Sequence, residues 1–200
     1  MMRGVFRTAL AAACLLCLAA APAAASAVTG TAAHRADDGP AAQPGGFNGP
    51  VVTHPPAAPF TYQAGEVCSF AVHVTFPVNE VIQRTWMNDA GQPVFAIASG
   101  LLIAQVTNVA TGRSTVADLN QTGTYSYPGD GSFILSGNGG VLAGFHTGDT
   151  PHNKLIFSPV SAHSFFSARV ATVNGNTTRT LLQLSGPYED LCQVLASPQG

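Results

Sequence analysis

The sequence predicts an all-β domain: an antiparallel meander of short strands closing into a β-barrel, with a β-sandwich as the alternative, behind a disordered N-terminal leader. Three observations carry that expectation. Short runs rich in Val, Ile, Thr and aromatics recur along residues 60–196, among them EVIQRTWMN, PVFAIAS, LLIAQVTN, STVADL, TYSY, SFILS, VLAGF, KLIFS, HSFFSARVATV and TTRTLLQLS. Turn signals separate most of them, namely NDAG, ATGR, PGDG, GNGG and VNGN. No run carries a stripe of apolar residues at helical spacing, and there are no crossover helices, so neighbouring hairpins are the expected architecture.

The N-terminus sets the compartment. Arg3 and Arg7 precede an apolar run from Ala9 to Ala21, and AAASA at 23–27 offers small residues for cleavage after Ala25 or Ala27. Residues 1–27 therefore read as a signal peptide, because the run is shorter than the roughly 20 apolar residues a membrane span needs. The mature chain is expected to be secreted and extracellular, with no membrane span. Cys14 and Cys17 lack the lipobox pattern of a small residue before the cysteine and a Leu-like residue three before it. Residues 28–59 form the next unit, rich in Ala, Pro and Gly, with GPAAQPGGFNGP and THPPAAP. Too few apolar residues recur there to offset chain entropy, so the segment reads as a flexible linker, either a tether or a propeptide.

The domain proper spans 60–196 and opens on GEVCSFAVHVTF. In that run Cys68, Phe70, Val72, Val74 and Phe76 alternate with Ser69, Ala71, His73 and Thr75, the two-residue period of a strand with one buried face. Removal of the leader leaves two cysteines, Cys68 and Cys192, and an oxidising compartment favours their pairing. The bond would close a loop of about 125 residues, worth roughly 4 to 5 kcal/mol in the chain-entropy model. Two unpaired thiols buried as small hydrophobes are the alternative. At the last hairpin, Asn174-Gly175 suggests a two-residue loop, which would set Val170 opposite Arg179 and Phe166 opposite Gln183. A three-residue loop, 174–176, with a bulge is preferred instead, because it pairs Phe166 with Leu184, Ala168 with Leu182 and Val170 with Thr180.

Composition restricts the partners. Charged residues make up 9% of the chain against about 25% in ordinary domains, and the formal net charge is −2. Without a basic stripe or an aromatic-plus-arginine cluster, no nucleic-acid partner is expected. No cofactor is predicted.

Chemistry-bearing residues are few. The sharpest group is GFHTGDTPHN, where His146, Asp149 and His152 crowd one segment and could ligate zinc, but the spacing matches no known site, so a solvated turn with no metal is the expected reading. His73 and His163 lie in or beside strands, where a satisfied histidine is commoner than a catalytic base. No G-x-S-x-G elbow occurs, and Ser99 and Ser136, each before a glycine, read as strand ends. Glu66, Glu80, Asp118 and Asp130 are the carboxylates available for a glycosidase pair, but the PGDG turn already accounts for Asp130. The sequons at Asn120 and Asn176 read as turn residues.

The run VTNVATGRSTVADLNQTG, the PGDGS turn, GNGGVLAGF and the terminal GPYEDLCQVLA resemble a group of small secreted actinobacterial, Streptomyces-like proteins of unknown function. Similarity covers most of residues 66–195. The resemblance implies export, a single disulfide and a β fold; it carries no activity. Two functions remain open on these residues. One is a non-enzymatic extracellular module that holds a small apolar ligand inside a closed barrel or contacts a cell-envelope component. The other is a secreted hydrolase with dispersed catalytic residues, which would require a histidine and a carboxylate converging in a concave site.

Overall fold

The structure, a computed structural model, describes residues 47–196. The predicted signal peptide, 1–27, and residues 28–46 of the predicted linker lie outside that range. Along the chain, β1 (Asn48–Thr53), β2 (Phe60–Tyr62), β3 (Val72–Asn79), β4 (Ile82–Met87), β5 (Pro93–Gly100), β6 (Leu102–Asn108) and β7 (Ser114–Asp118) come first. They are followed by β8 (Gln121–Ser126), β9 (Ser132–Gly137), β10 (Val141–Phe145), β11 (Lys154–Ser158), β12 (Phe165–Val173), β13 (Asn176–Ser185) and β14 (Glu189–Asp190). A short helix, α1 (Leu191–Ala196), ends the described chain.

The all-β expectation holds, and all ten strand runs singled out in the sequence are strands. Their arrangement differs from a closed meander. Three open antiparallel sheets form: a seven-stranded one in the order β1-β4-β5-β8-β9-β12-β13, a four-stranded one β2-β3-β6-β7, and a three-stranded one β10-β11-β14. No closed barrel is found among the described residues. Consecutive strands still make hairpins, but successive hairpins go to different sheets, so β3 pairs with β6, β5 with β8 and β9 with β12.

Side-chain facing explains why the sheets stack. In the three-stranded sheet, Leu142, Leu155 and Phe157 join a core with Val72, Val74, Ala104, Val106 and Ala117 of the four-stranded sheet. Their chain neighbours Val141, Ala143, Phe145 and Ile156 join a second core with Ala96, Tyr125, Leu135, Phe166 and Ala168 of the seven-stranded sheet. Strands β10 and β11 are thus packed on both faces, which is why VLAGF and KLIFS read as continuous apolar runs rather than alternating ones.

Two close approaches show what the stacking demands. At Gly100, with φ +138°, the chain leaves the large sheet for the small one beside Glu80, which makes the reverse passage. A Cβ there would sit 2.3 Å from the Glu80 carbonyl, so only glycine fits. At Gly144 the missing side chain leaves room for the Tyr62 ring, whose hydroxyl lies 2.3 Å from where a Cβ would be.

Several further expectations are corrected. The linker prediction over 28–59 fails at its C-terminal end, where Asn48–Thr53 pairs with β4 as an edge strand. Such a strand has one neighbour and all six residues exposed, so it leaves no amphipathic signal. Cys68 does not lie in the opening strand: residues 64–70 are turns and bends, and β3 starts only at Val72. There the Gly65 N–H donates to the Cys68 carbonyl and the Gln63 N–H to Glu66 Oε2. Val72 and Val74 are buried, as the alternation requires. The disulfide forms between Cys68 and Cys192, Cα atoms 5.2 Å apart. Cys192 lies in α1, whose one and a half turns bury Leu191 and Leu195 and are too short to show a helical period.

The last hairpin has the two-residue loop after all. Asn174 and Gly175 both take positive φ, and Val170 pairs with Arg179. Between Ser167 and Ala168 the register slips by one, Leu182 is extruded to 51% exposure, and Phe166 regains Leu184. The bulge, not the turn, restores the buried face.

Candidate functional site

The GFHTGDTPHN segment connects β10 to β11 and lies against the free edge of β13. Its centre is Asp149, whose carboxyl is 1% exposed. The His146 N–H donates to Oδ2 at 2.6 Å and the Arg179 N–H to Oδ1 at 2.7 Å. The Arg179 guanidinium reaches Oδ2 at 3.4 Å and His146 Nδ1 at 3.0 Å. As guanidinium only donates, His146 must present an unprotonated Nδ1 to it. The edge of the Tyr62 ring faces the same imidazole, centroids 5.5 Å apart.

This network fastens a connection onto a sheet edge. Thr150 bridges to Thr180 in a parallel sense, its N–H donating to the Arg179 carbonyl and its carbonyl accepting from the Leu181 N–H. Backbone groups that β13 would otherwise offer to another strand are thereby occupied, which guards the sheet against edge-to-edge pairing. The other edge strand, β1, carries Pro50, a residue that cannot donate to a ladder.

The solvated turn expected here does not hold at Asp149, which is buried, and the candidate metal residues are only partly assembled. His146 and Asp149 meet, with Nδ1 and Oδ2 3.4 Å apart, but the Arg179 cation stands against both of them, where a metal would have to bind. His152 is exposed. Among the described residues no group of three His, Cys, Asp or Glu side chains is placed to hold a metal ion. Arg179 had no signal in the sequence, because it lies 30 residues from Asp149 and meets it only through the β12–β13 hairpin.

The remaining candidates have structural partners. His73 Nδ1 is 2.8 Å from Thr61 Oγ1 across the β2–β3 pair. Glu66 closes the turn at residues 63–66 and Asp118 accepts from the Asn120 N–H. Asp130 accepts from the Ser132 hydroxyl and N–H and pairs with Arg169; the Ser132 hydrogen bonds and then the arginine hold its carboxyl below the usual range. Ser99 and Ser136 are the penultimate residues of β5 and β9, and His163 is exposed. Asn108, the asparagine of the VTN run, is 97% buried; its Nδ2 donates to the Leu195 carbonyl and its Oδ1 accepts from the Ala110 and Thr111 N–H groups. It ties the β6–β7 turn to α1.

A second region is a surface: the outer face of the seven-stranded sheet, turned away from the three-stranded sheet. Strand register defines it. One row across the strands reads Arg84, Ile97, Thr124, Ser136, Ser167 and Gln183; the next reads Trp86, Phe95, Ser126, Ile134, Arg169 and Thr180. Neither hydrophobic core draws on these side chains. Trp86 and Phe95 are half-buried by each other, ring centroids 5.7 Å apart and planes tilted 40°. Beside them the hydroxyls are linked, Thr124 donating to the Ser136 carbonyl at 3.3 Å and Ser136 Oγ meeting Ser167 Oγ at 2.9 Å. The alternation in EVIQRTWMN and PVFAIAS encodes this face, but Gln83 and Thr85 occupy the buried side and blur which side is inward.

Comparison of the chain with protein-family models, curated proteins and solved structures finds no match in any of the three.

Proposed function

We propose that this chain is an exported, disulfide-tied β-sandwich module that works by binding, not catalysis, and that it engages a cell-envelope or extracellular component through the outer face of its seven-stranded sheet. What supports the reading is that face itself, which neither core uses and which carries half-buried Trp86, Phe95 and Ile97 beside half-buried Thr124 and exposed Ser126. A solvated sheet face ordinarily carries polar residues, and the apolar cluster of Trp86, Phe95 and Ile97 on this one is the feature read as an interaction site. The hydrolase alternative draws no comparable support, since the histidine and carboxylate that do meet, His146 and Asp149, are engaged by Arg179 and by backbone N–H groups. An internal apolar ligand draws no comparable support, since no closed barrel is found among the described residues and the sheets pack their core side chains on one another. The disulfide, the leader sequence and the low charge fit an extracellular setting.

The test is to express the full chain in a Gram-positive host, recover it from the medium and measure its intact mass. The expected species starts after Ala25 or Ala27 and is about two daltons lighter than the reduced chain. Mixed with washed cell-envelope fragments, it should co-sediment, and substitutions on the outer face should release it. Retention of the uncleaved chain inside the cell, or a mature protein that stays in the supernatant, refutes the proposal.

A further inference from the structure

We infer that the partner of this face is a neutral polysaccharide, with Trp86 and Phe95 as the platform on which a sugar ring stacks; the inference rests on the binding reading above and adds the chemical class of the partner. Three features of the face point that way. The first is the aromatic pair. Trp86 and Phe95 are directly opposite across β4 and β5 and stand on the side of the sheet that neither core uses. An aromatic ring in water gains from covering by C–H groups, and a pyranose presents such groups on its faces. The second is the spacing of hydroxyls around the rings. Ser126 is directly opposite Phe95, and Thr124 is opposite Ile97 on the same pair of strands. Neighbouring strands lie about 4.8 Å apart, so donors and acceptors stand one strand from the platform, where a sugar's rim hydroxyls would fall. Thr124 already donates to the Ser136 carbonyl and keeps only its acceptor capacity for a ligand, whereas a purely apolar partner would strand the exposed Ser126 hydroxyl without a hydrogen bond.

The third feature is charge. Arg169, on the ring row, is already paired with Asp130, and the formal net charge of the chain is −2. Binding of a polyanion needs a row of unpaired cations to displace its counterions; outside the Asp130 pair these rows supply a single exposed cation, Arg84 at the β4 end, and not a row. The face spans five inter-strand steps from Arg84 to Gln183, about 24 Å, which suits an extended chain better than a single small molecule.

Trp86 is the only tryptophan of the chain, so its fluorescence reports this face directly. The oxidised, exported protein is titrated with the neutral polymers dextran, hydroxyethylcellulose and glucomannan, and with the polyanion hyaluronan. The expected result is a saturable change in Trp86 emission, with reduced acrylamide quenching, for at least one neutral polymer and none for hyaluronan. Ser126→Glu, which sets a charge beside Phe95 at an exposed position, should weaken that binding at least tenfold. Val116→Glu, on the exposed outer side of the four-stranded sheet, should leave it unchanged. Co-sedimentation with envelope fragments without any response to the neutral polymers overturns the polysaccharide inference and leaves the binding function standing. Absence of both overturns the two together. Equal binding by Ser126→Glu, or preference for hyaluronan, overturns the assignment of the face or of the neutral class.

Discussion

Replacing Asp149 by alanine tests whether the GFHTGDTPHN segment is a structural clasp. The carboxyl is 1% exposed and accepts from the His146 N–H, the Arg179 N–H and the Arg179 guanidinium. Removing it leaves two backbone donors without their acceptor and takes the carboxylate away from the Arg179 guanidinium, which keeps its contact with His146. Breaking a buried ion pair by deleting one partner costs about 3–5 kcal/mol, much of it the penalty on the group left behind. Each stranded donor adds about 1–3 kcal/mol when water cannot reach it, but Arg179 keeps 15% exposure and part of that cost is relieved. A net loss of about 4 kcal/mol is therefore expected, and at roughly 3 °C per kcal/mol for a domain of this size Tm should fall by about 12 °C. Differential scanning calorimetry of the oxidised protein measures it. Releasing the connection also uncovers the Arg179–Leu181 edge of β13, so a concentration-dependent dimer or aggregate should appear in size-exclusion chromatography. Asp149→Asn keeps one acceptor and should lose about half as much stability. A Tm drop below about 3 °C in Asp149→Ala would show that the clasp contributes little. An equal drop produced in the wild-type protein by a chelator would show that the group holds a metal.

Three other outcomes follow from the packing. Exchanging Cys68 and Cys192 together for serine frees a loop of about 125 residues and should cost roughly 4 kcal/mol in urea unfolding; a loss under 1 kcal/mol would mean that the reduced chain is already constrained. Gly144→Ala should cost about 1–3 kcal/mol by forcing the buried Tyr62 ring aside, and Tyr62→Phe should recover only part of it, since ring carbon Cζ also lies 2.6 Å from the new Cβ. Burial, and then the neighbouring Tyr127, push the Tyr125 phenol above its ordinary value of 10.0. Because the folded state holds that proton more tightly than the unfolded one, the associated stability is complete below pH 10 and is lost as pH rises past it. Tyr125→Phe should flatten the fall of Tm on the alkaline side; an unaltered slope would assign the alkaline loss to other groups.

Local signals made most strands legible. Val72 and Val74 face inward because a strand's side chains alternate, and turns such as PGDG and Asn174-Gly175 need residues that accept their backbone angles. The cysteine pair was legible because cleavage of the predicted leader leaves just two. Other features were not, and each for a reason of range. Strand β1 has one neighbour and no buried side chain, so its only signature is the partner β4. The role of Asp149 depends on Arg179, brought to it by a hairpin 30 residues away. The proposed binding face depends on which side of β4 is covered, and the buried Gln83 and Thr85 give the opposite hint to the half-exposed Trp86.

By itself, then, the amino-acid order determined that this chain is a set of short antiparallel hairpins with one cross-link and little charge, since alternation and turn chemistry act between residues a few positions apart. Tertiary structure decided that those hairpins are dealt among three stacked sheets and do not close into a barrel. The choice lay with contacts such as Tyr62 over Gly144 and Gly100 against Glu80, made between segments far apart in the chain. It also decided which sheet face is left uncovered, because a face is open only relative to the layers that pack on the other side.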